Sequence, residues 1–189
     1  MTPSPNAADL TKLLRKHPRQ RATMKSLAAL LTVLRAYFRK KWNRSLPVGE
    51  LLNDRWARAE ELGFGRGATI YDSAIVYGEV EVGESTWIGP QAILDGTGGL
   101  RIGAFCSISA GVQIYTHDSV AWSLSAGKKP VERAPTAIGS RCYLGPGTVV
   151  AKGVKIGDGC VIGAQSVVLS DIPAGMKAAG APCRVIGPA

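Results

Sequence analysis

The sequence predicts an all-β solenoid of short strands stacked coil upon coil, and three observations lead to that fold class. From Ile70 onward an aliphatic residue recurs at every sixth position, and Gly often follows it, as in Ile88-Gly89 and Ile156-Gly157. The residue four places after each aliphatic residue is nearly always small. A period of six fits neither a helix nor an ordinary strand, and so many Gly residues would destabilise a helix. Repeated short β-segments with tight turns are the remaining architecture.

The repeat runs in two blocks. The first extends from Ile70 to Ile114, with a shift of two residues after Leu94-Asp95, and the second extends from Ile138 to Val168. We expect the aliphatic residues to point inward and Gly to provide the turns. The residues four places along are Ala74, Val80, Thr86, Ala92, Cys106, Val112, Cys142, Thr148, Val154, Cys160 and Ser166.

The residues before the repeat differ in charge. Residues 1–66 hold 14 Lys or Arg against 5 Asp or Glu, whereas residues 67–189 hold 9 of each. The net charge of +9 therefore belongs to the N-terminal segment. Because the repeat body has no basic excess, we expect no nucleic-acid partner.

An amphipathic helix is predicted within this basic segment, since Leu27, Leu34 and Trp42 fall at helical spacing among Lys and Arg. Two interpretations stay open. The helix packs on the body or on a sister subunit, or residues 24–45 lie on an anionic membrane surface. Its apolar run is too short to span a bilayer and no signal-peptide pattern follows, so we expect a cytoplasmic protein, with peripheral contact to the inner membrane face as the second option. Leu51 to Leu62 predicts a second short helix.

Three cysteines fall on one side of the predicted solenoid. Cys106, Cys142 and Cys160 are spaced by 36 and 18 residues and occupy the small inward position. They lack the C-x-x-C spacing of a metal or redox site, so we interpret them as buried structural thiols and expect no metal.

The repeat is interrupted between residues 117 and 137, which predicts a loop excursion. His117 opens it, and loops inserted into a rigid scaffold commonly carry function. From the residues alone, His117 is either a structural or exposed corner residue or a catalytic base.

These repeats and the His117 loop resemble the hexapeptide-repeat acyltransferase family, most closely the sugar and polysaccharide O-acetyltransferases. The resemblance covers residues 67–187. It implies a left-handed parallel β-helix with three hexapeptides per coil, and a homotrimer with its sites between subunits. On that basis the chain divides into a partly helical segment at 1–66, the β-helix domain at 67–172 and a C-terminal tail at 173–189.

The resemblance also assigns roles within a site. His117 would be the general base that deprotonates an acceptor hydroxyl while its oxygen attacks acetyl-coenzyme A. The oxyanion donor would be the amide of Gly145 or Gly147, because Pro146 between them has no N–H. Asp95 would either hold a sugar hydroxyl or cap its own turn. Asp118 is a further candidate on the acceptor side, or an orienting partner of His117.

For the cofactor, the family's last coils correspond to Ile162–Gly175 and Ala179–Ile186. By that match Ala164, Leu169 and Ser170 line the pantetheine arm, and Lys177 and Arg184 lie near the nucleotide end. The same fold also serves a carbonic anhydrase that needs three His ligands, but His117 is the only histidine in the repeat body.

The sequence therefore predicts an acetyl-coenzyme A-dependent O-acetyltransferase that modifies a sugar hydroxyl in a surface polysaccharide or its precursor. Two alternatives stay open. One is an N-acetyltransferase of an amino sugar or small xenobiotic, and the other is a non-catalytic scaffold recruited to a membrane. Retention of a coenzyme A groove would separate an enzyme from a scaffold.

Overall fold

The computed structural model describes residues 12–189, which divide into two compact units: the residues before Asn53, and Asn53–Ala189. The first unit contains helices α1 (Pro18–Trp42) and α2 (Val48–Leu52). Pro18 occupies the first turn of α1, where its missing N–H is no loss, and Asn43 ends the helix in a left-handed conformation. No residue of α1 is buried. Within residues 12–189 no helix is both long enough and apolar enough to cross a membrane.

The predicted single helix from Leu51 to Leu62 is wrong, because two short helices replace it. In the second unit, α3 spans Arg55–Glu61. The Asp54 carboxylate accepts hydrogen bonds from the amides of Trp56 at 2.9 Å and Ala57 at 3.2 Å. An N-cap residue of this kind has an extended backbone, so a helix begins after it and cannot run through it. Ala59 of α3 is buried in the hydrophobic core, so α3 packs on the first coil.

The predicted parallel β-helix is confirmed. Its strands form three stacks, here called faces A, B and C. Face A contains β1 (Thr69–Ile70), β3 (Trp87–Ile88), β5 (Ser107–Ile108), β10 (Tyr143–Leu144), β13 (Val161–Ile162), β15 (Met176–Gly180) and the antiparallel β16 (Cys183–Pro188). Face B contains the first halves of β2 (Ile75–Val82) and β4 (Ile93–Ile102), then β6 (Gln113–Ile114), β11 (Val149–Val150) and β14 (Val167–Val168). Face C contains the second halves of β2 and β4, then β9 (Thr136–Ile138) and β12 (Lys155–Ile156).

The pairing register of the strands gives the number of residues in each coil. Ile70 pairs with Ile88, and Leu144 with Ile162, which is 18 residues per coil. From Ile88 to Ile108 the coil has 20 residues, because the two-residue shift lies in β4. From Ile108 to Leu144 the separation is 36 residues, so one coil carries an inserted segment of 18.

The core is built as the repeat predicts. The inward aliphatic residues are buried except for the half-buried Val76, and the small positions are buried except for the half-buried Val80. The thiols of Cys106, Cys142 and Cys160 each donate to a backbone carbonyl of the next coil, at 3.0, 3.1 and 3.0 Å. Burial raises the pKa of the Cys160 thiol, which keeps it protonated as a donor. The interpretation as buried structural thiols is confirmed.

Candidate active site

The inserted segment leaves the solenoid at the edge between faces B and C, here called the B–C edge. It begins with β7 (His117–Asp118), continues through α4 (Val120–Leu124) and returns along β8 (Glu132–Arg133), which pairs antiparallel with β7. Thr136 already lies in β9, so the excursion ends slightly before the predicted limit of 137. The coil before it crosses the same edge through residues 95–99 of β4, where the two-residue shift lies. The two irregularities of the repeat are thus stacked on each other.

That stacking brings His117 onto Asp95. Nδ1 of His117 lies 2.5 Å from Oδ2 of Asp95 and 2.9 Å from the hydroxyl oxygen of Thr97. The Asp95 side chain has no exposed surface, whereas that of His117 is 32% exposed. The Thr116 amide donates to Oδ2 of Asp95 at 2.8 Å, and the amide and hydroxyl of Thr97 donate to Oδ1 at 2.9 and 2.8 Å. Both carboxylate oxygens are therefore occupied.

These contacts decide the charge of Asp95 and the tautomer of His117. Burial alone would raise the pKa of Asp95, but the hydrogen bonds from Thr116, Thr97 and His117 lower it to about 2. An ionised carboxylate can only accept, so the His117 nitrogen that faces it must carry a proton. In the neutral imidazole, Nε2 then keeps its lone pair. The arrangement presents a half-exposed base whose orientation a buried anion fixes.

Two glycines allow the turn that buries Asp95. A Cβ at Gly96 would collide with the backbone carbonyl of Glu79, and a Cβ at Gly98 would lie 2.5 Å from the Thr116 carbonyl oxygen. The Gly98 amide donates to the Thr116 hydroxyl at 2.8 Å, which ties this turn to the coil that carries His117. The Gly-rich sequence after Asp95 is thus needed for close approach of two coils.

The structure does not place Asp95 where a sugar could touch it. The sequence offered two roles for Asp95, a ligand of the sugar or a cap of its own turn. The hydrogen bond that it accepts from the Thr97 amide is the turn cap. Its contact with His117 was in neither option. The sequence had instead offered Asp118 as an orienting partner, and this is wrong. The Asp118 carboxylate accepts from the Val120 amide at 3.0 Å and lies 3.1 Å from Nζ of Lys152, because adjacent side chains on a strand point to opposite sides.

Lys152 anchors the two strands of the excursion to the solenoid through ion pairs. Its Nζ also lies 2.7 Å from Oε2 of Glu132, so one ammonium bridges β7 and β8 from the coil that follows. The Lys152 side chain is 23% exposed. The hydrogen bonds from its ammonium group to the carboxylates of Glu132 and Asp118 raise the pKa of Lys152.

The predicted oxyanion donors are wrong for the single chain. The Gly145 amide donates to the Ile162 carbonyl at 2.8 Å, and the Gly147 amide donates to the Ala110 carbonyl at 2.9 Å. Both N–H groups are consumed by bonds between coils. Both residues also lie at the edge between faces A and B, here called the A–B edge, with face B between them and His117.

The predicted cofactor residues are all exposed but lie in different places. Leu169 and Ser170 follow β14 and share the B–C edge with His117, whereas Ala164 follows β13 at the A–B edge. Lys177 lies in β15 and Arg184 in β16, both at the end of face A. One chain does not gather them into a single groove.

Sequence reasoning missed three contributors to the site, Thr97, Thr116 and Lys152. Thr97 lies in the two-residue shift and could have been suspected from that position. Thr116 and Lys152 had no local signal, because their partners come from neighbouring coils. In the part of the chain that the structure describes, no group of three or more potential metal ligands was found.

The chain is similar in sequence to proteins named as acetyltransferases. The family model for the bacterial transferase hexapeptide (six repeats) matches residues 135–170. The protein WcaF of Escherichia coli K12, named as a colanic acid biosynthesis acetyltransferase, is 34% identical over 110 residues, which are 57% of this chain and 58% of WcaF. The chain thus spans less than two thirds of that curated relative.

Two solved structures match over most of their length. A maltose O-acetyltransferase from Clostridium difficile 630 is 30% identical with a TM-score of 0.58, and the match covers 84% of this chain and 88% of that one. The hexapeptide-repeat acetyltransferase VCA0836 of Vibrio cholerae, complexed with acetyl-coenzyme A, is 24% identical with a TM-score of 0.65, over 85% of this chain and 89% of that one. The second likeness bears on the fold alone.

Proposed function

This chain belongs to the hexapeptide-repeat acyltransferase family, and on that premise we propose that it transfers an acetyl group from acetyl-coenzyme A to a hydroxyl of a sugar in a surface polysaccharide or its precursor. The observation that carries the proposal is the pairing of His117 with the buried Asp95 at the mouth of the excursion. The names of WcaF and of the maltose O-acetyltransferase support a sugar acceptor.

The chemistry follows from the tautomer. Nε2 of His117 takes the proton of the acceptor hydroxyl as its oxygen attacks the thioester carbonyl carbon. A C–O bond forms, the C–S bond breaks when the tetrahedral intermediate collapses, and the leaving thiolate takes the proton back from the imidazolium. Asp95 touches neither substrate, so it acts as a positioning residue. Its negative charge stabilises the imidazolium while the intermediate exists.

A homotrimer belongs to this proposal, with each site between two copies. Residues assigned to the cofactor lie on both the A–B and the B–C edges, and face B separates those edges within one chain. Two copies packed side by side could bring the A–B edge of one beside the B–C edge of the other. Outward residues of face A are suited to such packing, since Trp87 and Tyr143 are 66% and 43% exposed.

An acceptor screen tests the proposed activity. Purified protein would be incubated with acetyl-coenzyme A and a panel of neutral hexoses, acidic sugars, sugar phosphates and amino sugars, with release of free thiol as the signal. Acetylation of a sugar oxygen, located in the product by NMR, is the expected result. Product acetylated only on nitrogen would contradict O-acetylation, and no thiol release with any acceptor would contradict the enzyme assignment.

We further propose a cytoplasmic protein whose residues 24–45 contact an anionic membrane surface. Residues 12–49 contain 11 Lys or Arg and no Asp or Glu, while Leu30, Val33 and Trp42 of α1 are exposed. Apolar side chains with cationic flanks are typical of helices that lie in the headgroup region.

Vesicles test this contact. The full chain should co-sediment with vesicles containing phosphatidylglycerol and not with phosphatidylcholine vesicles, and the binding should weaken as salt rises. A chain lacking residues 1–45 should remain in solution. Equal recovery of both chains with anionic vesicles would contradict the membrane assignment.

A further inference from the structure

The hairpin formed by β7 and β8 has two faces with different partners. His117 lies opposite Arg133, and Asp118 lies opposite Glu132. Residues directly opposite each other on antiparallel strands project to the same side. One face therefore carries the base and a guanidinium, and the other carries two carboxylates.

The two carboxylates of the second face form ion pairs with a lysine of the solenoid. Nζ of Lys152 lies 3.1 Å from Asp118 and 2.7 Å from Glu132. Asp118 and Glu132 are the only acidic residues between 117 and 135, whereas the same segment holds Lys128, Lys129 and Arg133. The excursion thus leaves its own cations without acidic partners of its own.

Arg133 is the cation placed beside the base. It is exposed, and among residues 12–189 no carboxylate lies within ion-pair distance of its guanidinium. A guanidinium carries five donors in a planar fork that matches the oxygens of phosphates and carboxylates. A cation without an acidic partner among the described residues of its own chain, next to an open base, is therefore suited to an anion brought by the substrate.

We propose that the acceptor carries an anionic group, a phosphate or a carboxylate, which Arg133 binds while the reacting hydroxyl lies at Nε2 of His117. The inference rests on the proposed acetyltransferase function and narrows its substrate class. Arg133 holds the acceptor from the strand opposite His117.

Matched acceptors test the inference. A neutral hexose, the corresponding hexose 1-phosphate and the corresponding hexuronic acid would be compared by kcat/KM, with wild type and the variants Arg133→Gln, Arg133→Lys and Lys155→Gln. Lys155 is exposed in β12 on face C and takes no part in the ion pairs of the hairpin, so its variant controls for the loss of one positive charge. The phosphate and carboxylate arms distinguish the two sources of negative charge.

We expect at least one anionic acceptor to exceed the neutral hexose, and Arg133→Gln to lower its kcat/KM by about tenfold or more, as loss of a hydrogen bond to a charged group does. The neutral hexose and Lys155→Gln should change little, and Arg133→Lys should restore part of the loss. Equal effects of Arg133→Gln on charged and neutral acceptors would overturn the inference, as would a rise in KM confined to acetyl-coenzyme A. Turnover of the neutral hexose alone would overturn the inference and leave the acetyltransferase function intact. Turnover of none of the three acceptors would contradict the proposed acetyltransferase function, and with it the inference that depends on it.

Discussion

Nδ1 of His117 lies 2.5 Å from Oδ2 of Asp95, although 22 residues separate the two along the chain. They meet because two irregular coils are stacked at one edge of an otherwise regular solenoid. The shift in β4 buries the carboxylate, and the excursion above it begins with the imidazole. In a regular pair of coils both positions would belong to tight turns, since Asp95 lies one place after Leu94 and His117 three places after Ile114.

Replacement of His117 by Ala should lower kcat by about 10²–10⁴-fold, which is the usual contribution of a positioned general base. The affinity for acetyl-coenzyme A should change little, because the base acts on the acceptor proton. Steady-state kinetics on a validated acceptor would measure both. His17→Ala is the matched control, since His17 lies before α1 in the basic segment, and it should be silent. An intact His117→Ala protein that keeps most of its activity would rule out this base.

Replacement of Asp95 by Asn should leave the shape of the site but remove its charge. An amide can donate to Nδ1 of His117, which favours the tautomer whose proton is on Nε2 and which cannot act as a base. We expect kcat to fall by about two to four orders of magnitude, as for the equivalent change in a serine protease triad. Unchanged kcat in a folded Asp95→Asn protein would contradict the positioning role.

Asp95 should also make stability depend on acidity. Its pKa is lowered from the ordinary value of 3.8 to about 2 in the folded chain. A lowered pKa means that the ionised form stabilises the fold above pH 3.8, and that this contribution is lost as the pH falls through about 2. The full contribution corresponds to about 2 kcal/mol. The difference in unfolding free energy between wild type and Asp95→Asn, measured by urea denaturation, should shrink between pH 5 and the acid limit. A difference that stays constant over this range would contradict the assignment.

Replacement of Lys152 by Met should remove the ion pairs that join β7 and β8 to the solenoid. The ion pairs are partly exposed, so the free energy of unfolding should change little. Because a small displacement of a catalytic group is costly, we expect kcat to fall by roughly tenfold or more. Lys152→Arg should recover much of it, and Lys155→Met is the matched control. A purely structural role would instead lower thermal stability and leave kcat of the folded fraction unchanged.

Ile156 and Lys155 test the inward and outward sides of one strand. Ile156 is 2% exposed and its neighbour Lys155 is exposed on face C. Ile156→Asp should prevent folding, because an unpaired buried charge costs several kcal/mol. Lys155→Asp should give soluble protein with native circular dichroism. Soluble, active Ile156→Asp protein would show that the inward assignment is wrong.

The sequence by itself determined the solenoid, its inward residues and the position of the excursion. These are properties of a periodic pattern, and a buried aliphatic residue at every sixth position can be satisfied only by coils that repeat the same path. Even the stack of Cys106, Cys142 and Cys160 follows from spacing alone. The break in the pattern at His117 marked where the chain leaves that path.

Only the tertiary structure decided which residues of the site contact one another. Asp95 was recognisable as unusual, yet its contact with His117 depends on how the widened turn at residues 95–99 folds against the next coil, and the repeat does not specify the path of that turn. Lys152 reaches Asp118 and Glu132 from the following coil, and the amides of Gly145 and Gly147 are consumed by carbonyls of neighbouring coils. Hydrogen bonds in a solenoid run between coils, so the availability of any one donor is a property of the stack and cannot be read from the repeat that contains it.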